Sequence, residues 1–269
     1  MATVKIPGGE TIWFKKTGRG KPVLQIHGSA FGHRNFEKMT PLMAAHFETI
    51  DFDLPGYGDS IGKARAGGIE GFAGVVAELI GALGYGKVNV HGTSFGAMVG
   101  LTLAARHPQV VDKLVLSCFM CRYDLAAREM RATWKRAARD SGMAAVADLT
   151  SVAGFARSYY ERPEAQAQLQ SMREAFSRNT PEAMIAGTES IERADLSPLL
   201  PLVKAPTFLI GGDEDNMTPY KPAKSGVGFA QIKQLRPDWE MVVLPECGHY
   251  LVIEHPEKAT ELIADFLNR

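Results

Sequence analysis

Lys87-Val88-Asn89-Val90-His91-Gly92-Thr93-Ser94-Phe95-Gly96 is the stretch on which the fold turns. It opens as a short apolar run of strand length, and from Phe95 to Arg106 apolar residues recur at helical spacing. The turn between them reads G-x-S-x-G. In a strand–turn–helix setting this puts a serine on a strained corner with its hydroxyl presented to a ligand, and the flanking glycines let strand and helix approach closely. The bland alternative is a glycine-rich turn with an idle serine.

Working outward, further strand-length runs lie at Val23-Leu24-Gln25-Ile26, Phe47 to Phe52 and Leu114-Val115-Leu116. Helical spacing covers Phe36 to His46 and Ile69 to Leu83. Alternating β and α with near-continuous apolar strands predicts a parallel sheet covered on both faces. From Phe119 to about Leu200 the alternation stops, and Leu125, Met130, Trp134 and Ala138, then Leu169, Met172 and Phe176, follow helical spacing. Strands resume at Thr207-Phe208-Leu209-Ile210 and Met241-Val242-Val243-Leu244, followed by a terminal helix from Pro256 to Leu267. The expected organisation is an α/β core, residues 1–118 and 201–269, with a helical cap or lid, residues 119–200, inserted in it.

Composition narrows the class. The 269 residues carry 30 Lys+Arg and 30 Asp+Glu, with 45% hydrophobic and 22% charged residues, as in an ordinary globule able to bury a core. Zero net charge argues against nucleic acid. The densest basic stretch, Arg128, Arg131, Lys135, Arg136 and Arg139, is interleaved with acids and reads as a solvated helix face. Apolar stretches fall far short of the ~20 residues of a membrane span, and the N-terminus lacks a signal-peptide pattern, so the expectation is a cytoplasmic protein. Cys118, Cys121 and Cys247 are too few for a disulfide framework. Cys118-Phe119-Met120-Cys121 spells C-x-x-C, read here as two apolar thiols at a strand end because no second half-site follows.

A serine becomes a competent nucleophile only beside a base that is itself oriented by a carboxylate. For this kind of elbow the chain order is serine, acid, histidine. His249, in Glu246-Cys247-Gly248-His249-Tyr250 just past the last strand, fits; His255 before Pro256 suits capping or packing. The acid belongs on the loop after 207–210, where Asp213, Glu214 and Asp215 all stand, and spacing alone leaves the choice open. One of them is expected to cap a helix beginning near Pro219.

Five motifs then occur in order: His27-Gly28-Ser29, Asp53-Leu54-Pro55-Gly56-Tyr57-Gly58-Asp59-Ser60, Gly92-Thr93-Ser94-Phe95-Gly96, Gly212-Asp213-Glu214-Asp215 with Pro219, and Gly248-His249 with Glu254-His255-Pro256. Together they resemble the α/β-hydrolase superfamily across nearly the whole chain. The resemblance implies a mostly parallel eight-stranded sheet with helices on both faces and a lid inserted after the sixth strand. It selects Asp215 as the acid, through G-x-x-D-x-x-x-P, with Ser94 as nucleophile and His249 as base. It implies an oxyanion hole from the Phe95 amide and one just after His27-Gly28, assigned to Ser29 with Ala30 as the alternative. His27 is expected to orient that loop. The 53–60 loop reads as a shaped turn, not a phosphate cradle, and no metal or organic cofactor is expected.

A serine at the elbow points to ester, lactone, thioester, amide or vinylogous C–C cleavage. Ser141 to Asp148, Glu192 to Leu196 and Ala205-Pro206-Thr207 resemble 3-oxoadipate enol-lactonases, whereas the His27 and Asp53 loops resemble the meta-cleavage-product C–C hydrolases, which usually carry Trp where Tyr250 stands. Both groups act on small carboxylated products, so a lid arginine is expected near the site; Arg122, Arg157 and Arg193 are candidates. Met120, Met130, Trp134, Phe155, Tyr159 and Tyr160 are candidates for an apolar pocket or for packing between lid helices. The expected function is a serine hydrolase of a small ester or lactone, with a small-molecule substrate as its partner and a homodimer left open. The rival readings are a C–C hydrolase, a ligand receptor on the same fold, cofactor-free oxygen or peroxide chemistry, and a zinc site from Cys118, Cys121, Cys247 and His249.

Overall fold

The structure is a computed structural model that describes residues 2–60 and 67–269. Eight strands form one sheet: β1 (Ala2–Lys5), β2 (Thr11–Gly18), β3 (Pro22–Ile26), β4 (Glu48–Phe52), β5 (Val88–Thr93), β6 (Val111–Ser117), β7 (Thr207–Gly212) and β8 (Glu240–Leu244). Their spatial order is β1-β2-β4-β3-β5-β6-β7-β8. β2 runs antiparallel to both β1 and β4, and all the other pairs are parallel.

The parallel strands β3 to β7 are buried on both faces, β8 at the edge only partly so, and alternate side chains feed two cores. Leu24, Val90, Leu116 and Leu209 pack on one side with residues of α2 (Gly68–Ala82) and α3 (Phe95–Arg106). Val23, Val115, Phe208 and Ile210 point the other way, toward Met43 of α1 (Thr40–Met43) and Ile263 of α10 (Pro256–Asn268). Each such side chain contributes about 1.5–3 kcal/mol on burial. The helix expected from Phe36 to His46 is instead a 3-10 turn, Gly32–Phe36, and the four-residue α1. Pro41 explains the break, because it has no amide to donate and is tolerated only in a helix's first turn.

Between β6 and β7 the chain forms α4 (Leu125–Ser141), α5 (Met143–Gly154), α6 (Ala165–Phe176) and α7 (Pro181–Arg193). This segment leaves and returns at one neck. The Leu196 amide donates to the Cys121 carbonyl (2.9 Å), and the Arg122 guanidinium meets Asp195 (2.9 Å). After β7 come α8 (Phe229–Leu235) and, beyond β8, the single turn α9 (Leu251–Glu254). Among the described residues no helix is long and apolar enough to cross a membrane.

Register fixes where chemistry is displayed. Ile26 lies opposite Gly92, Thr93 opposite Ser117, Ser117 opposite Ile210, and Gly212 opposite Leu244. The carboxyl ends of β3, β5, β6, β7 and β8 therefore finish at one edge, where open α/β sheets bind ligands.

Candidate active site

Ser94 follows β5 with φ 54 and ψ −115, a strained conformation for a residue with a Cβ. The flanking glycines show what makes it attainable. A Cβ on Gly92 would sit 2.3 Å from the Gly96 carbonyl oxygen, and one on Gly96 only 2.0 Å from that of Ile26. Strand, turn and helix are thus packed backbone to backbone. The corner is also tied to the sheet by the Ser94 amide, which donates to the Ser117 carbonyl (2.8 Å).

His249 arrives from the loop after β8. Its Nε2 is 2.9 Å from Ser94 Oγ, and its Nδ1 is 2.9 Å from Asp215 Oδ2. The three acids after β7 have separate partners. Asp215 Oδ1 accepts the amides of Met217 (2.9 Å) and Thr218 (2.8 Å), and its Oδ2 accepts the Thr218 hydroxyl (2.6 Å). Glu214 accepts the Arg157 amide (2.8 Å), and Asp213 the Cys247 amide (3.4 Å). Asp215 therefore caps a turn; the helix expected to start near Pro219 is absent, and the next one, α8, begins at Phe229. Burial alone would raise the Asp215 carboxyl, but His249 and the Thr218 donors hold it below the usual carboxylate range. It stays ionised beside the histidine.

The loop after β3 supplies backbone donors. The Gly28 amide is already committed to Asn35 Oδ1 (2.7 Å). His27 sits beneath: its Nδ1 is 2.7 Å from the Gly28 carbonyl, and its Nε2 accepts the Leu54 amide (3.0 Å). Burial lowers its basicity, so the ring is neutral, with its proton on Nδ1. Ala30 adopts φ 68, and its carbonyl accepts Asn179 Nδ2 (2.5 Å) from the turn after α6, so the helical segment holds this loop. Across the site the Phe95 amide opens α3, where helix-start amides lack intrahelical acceptors. Asn35, Asn179 and Thr218 were not anticipated from sequence. Their partners are mostly backbone groups that meet only in three dimensions.

Among the described residues, one group could converge on a metal: His33, Asp53 and Asp59. Asp53 already accepts the His33 amide (2.5 Å), His33 Nδ1 (3.0 Å) and the Asp59 amide (2.8 Å). It reads as a pin for the 53–60 turn.

A cavity of about 40 Å³ opens over Ser94 and His249, lined also by Ser29, Phe31, Arg131, Trp134 and Tyr250. None of the three arginine candidates reaches it. Arg122 closes the neck, Arg157 is exposed, and Arg193 is 80% exposed beside Glu189. The arginine that does is Arg131, which the sequence placed on a solvated face. It is 2% exposed, because the buried stripe of α4 is Ala127, Arg131, Trp134 and Ala138, while Leu125 is 68% exposed. Its guanidinium donates to the Tyr123 hydroxyl (2.7 Å) and the Ala127 carbonyl (3.2 Å) and stacks 3.8 Å from the Tyr123 ring centroid. Burial lowers its pKa, against the through-space pull of Asp215 and Glu192, the latter paired directly with Lys135. Of the proposed apolar lining only Trp134 reaches the cavity. Phe155 and Tyr159 instead stack on each other at 4.4 Å, and Met120 lies in the core with its Cε beside Gly226.

Comparison with known proteins gives a consistent picture. The family model for the alpha/beta hydrolase fold matches residues 21–256. A 2-hydroxy-6-oxo-6-(2'-aminophenyl)hexa-2,4-dienoic acid hydrolase of Metapseudomonas resinovorans is 24% identical over 97% of this chain and 89% of its own length. A pimeloyl-[acyl-carrier protein] methyl ester esterase of Neisseria meningitidis is 29% identical over 92% of this chain and 93% of its own. Among solved structures, the enol-lactonase of Burkholderia xenovorans LB400 superposes with a TM-score of 0.88 at 25% identity, covering 100% of both chains.

Proposed function

Because the chain belongs to the α/β-hydrolase fold family and is a hydrolase of that fold, we propose that it cleaves a small carboxylated ester or lactone by acyl transfer through Ser94. The observation that carries this is the unbroken relay Asp215–His249–Ser94, with both links at 2.9 Å and the serine at the elbow. His249 takes the hydroxyl proton at Nε2 as Ser94 Oγ attacks the carbonyl carbon. Asp215, fixed by Thr218, holds the ring's Nδ1–H and favours the imidazolium. The tetrahedral oxyanion accepts the Phe95 amide and that of Ser29, each such donor being worth about 2.7–4 kcal/mol in the transition state. His249 then protonates the leaving oxygen, the ester on Ser94 forms, and a water activated by His249 releases the acid and regenerates the hydroxyl.

Arg131 supports the carboxylated class. A buried guanidinium has five N–H donors in a fork that matches a carboxylate, and here it lines the cavity beside the nucleophile, hydrogen-bonded only to Tyr123 and Ala127. The dienoic-acid hydrolase among the relatives is named for a carboxylated compound, which supports the same class and keeps C–C hydrolysis of such an acid as the second reading. We place the enzyme in the cytoplasm.

The test is Ser94→Ala assayed on short esters, enol-lactones and ring-fission dienoates. Turnover of the accepted substrate falls at least about 10³-fold while the fold is retained. Full activity in the variant overturns the assignment. Dependence of wild-type turnover on oxygen or peroxide, or ligand binding without turnover, would instead favour the rival chemistries.

A further inference from the structure

Glu254 is a buried acid for which the acyl-transfer scheme has no step. It ends α9, is 2% exposed, and gathers three backbone amides. Its Oε2 accepts those of Ala156 (3.0 Å) and Gly248 (3.1 Å), and its Oε1 that of Tyr250 (3.1 Å). Gly248 and Tyr250 flank His249. Ala156 belongs to the turn that follows α5 in the helical segment. One carboxylate therefore spans the histidine loop and the inserted helices.

Other contacts converge on the same seam. The His249 amide donates to the Gly154 carbonyl (2.6 Å). A Cβ on Gly248 would lie 2.1 Å from that carbonyl oxygen and 2.6 Å from the Ala156 nitrogen, so only glycine allows this approach. Beyond Ala156, the Arg157 amide donates to Glu214, next to Asp215. The 154–157 turn is thus stitched to the loops of both His249 and Asp215. Burial pushes the Glu254 carboxyl up to about 7 even though three amides stabilise its charged form, and Asp215 raises it further. Arg162 does not neutralise it; its guanidinium binds the Glu254 carbonyl oxygen (2.5 Å). Keeping an acid in so dry a place is unfavourable unless the amides it satisfies must be held.

We propose that Glu254 is a positioning residue for His249, which makes seating of the helical segment and alignment of the histidine on Ser94 a single event. This rests on the Ser94–His249 reading above. A carboxylate presents acceptors on both oxygens, whereas a carboxamide presents one acceptor and one NH₂ donor. In Glu254→Gln, either orientation sets N–H against N–H, at Tyr250 or at Ala156 and Gly248. The histidine loop then loses its register with the 154–157 turn, and displacements of about 1 Å at a reacting group cost on the order of 10² in rate.

The experiment compares wild type, Glu254→Gln, Glu254→Asp and Ser94→Ala. In Glu254→Gln, kcat falls about 10- to 100-fold with KM within about threefold. Phosphonylation of Ser94 by a fluorophosphonate slows in parallel, since that step needs His249 as base. Amide exchange at Ala156, Gly248 and Tyr250 accelerates, and Glu254→Asp, which keeps both acceptors on a shorter arm, lies between. If Glu254→Gln does not fold, the kcat, labelling and exchange changes of Glu254→Asp carry the test. A folded variant with wild-type kcat and labelling overturns the inference, as does a KM rise at unchanged kcat. Ser94→Ala separates the two claims: if that variant keeps turnover, the acyl-transfer reading fails, whereas a dead Ser94→Ala beside a fully active Glu254→Gln sinks only this inference.

Discussion

Removing Arg131 together with its hydroxyl partner should move activity and stability in different directions. In the free protein the guanidinium is 2% exposed, makes two hydrogen bonds, to Tyr123 and Ala127, and lines the cavity, with Asp215 and Glu192 acting on it only through space. Arg131→Met alone orphans the buried Tyr123 hydroxyl, which costs about 1–3 kcal/mol. Arg131→Met with Tyr123→Phe removes both partners and replaces a dry charge with apolar volume. Such exchanges are commonly neutral or stabilising, so the double variant is expected to melt at or above wild type, by up to about 2 kcal/mol. A charge-assisted hydrogen bond to a substrate carboxylate is worth about 1.5–3 kcal/mol, so discrimination between a short dicarboxylic acid mono-ester and its neutral diester, as a kcat/KM ratio, should fall about 10- to 100-fold. Calorimetry and parallel kinetics on the two esters measure both. Unchanged discrimination, or a wild type that prefers the diester, refutes carboxylate recognition by Arg131. A double variant destabilised by several kcal/mol would show instead that the guanidinium is a structural strut.

Backbone packing and burial set three further outcomes. Gly96→Ala places a Cβ 2.0 Å from the Ile26 oxygen and 2.6 Å from that of His27, both backbone atoms, so it should lose more than about 4 kcal/mol or fail to yield folded protein. Gly81→Ala in α2 meets nothing within 4 Å and should gain about 0.5–1 kcal/mol; thermal melts of the pair check both signs. Burial raises the Asp51 carboxyl from 3.8 to about 6, against donors from Thr40 and Gln25. Because the folded form binds its proton more tightly than the unfolded chain does, this group's contribution is fully present below about pH 4 and is lost as pH rises through about 6, by about 3 kcal/mol at 1.36 kcal/mol per pH unit. Denaturant titrations from pH 4 to 7 should show wild type losing stability relative to Asp51→Asn across that window, and parallel curves would refute the assignment.

What the sequence discloses depends on which partner a residue answers to. The parallel strands β3 to β7 are legible because burial on both faces demands uninterrupted apolar runs, and edge strand β8 shares the signal through Met241 to Leu244 although it is only partly buried. β1 and β2 are not legible, since β1 is largely exposed and β2 ends in Lys15, Lys16 and Thr17 at the antiparallel side of the sheet. Ser94, Asp215 and His249 are legible as positions because each stands on a turn just after a strand, and a parallel sheet brings such turns to one edge. The rest of the site answers to the backbone. Asn35 satisfies the Gly28 amide, Asn179 the Ala30 carbonyl, Thr218 fixes Asp215, and Glu254 collects amides from two separate loops. Nothing in local patterning marks a side chain whose role is to satisfy an amide 98 residues away. Arg131 is the instructive exception. Its signal was present, a cation at the 4-3-4 spacing shared by Ala127, Trp134 and Ala138, but charge alone assigned it to solvent. A charged residue in register with a small-residue and aromatic stripe is better read as facing inward. Under the proposed reading, a substrate carboxylate would give Arg131 the direct partner that Asp215 and Glu192 supply only through space.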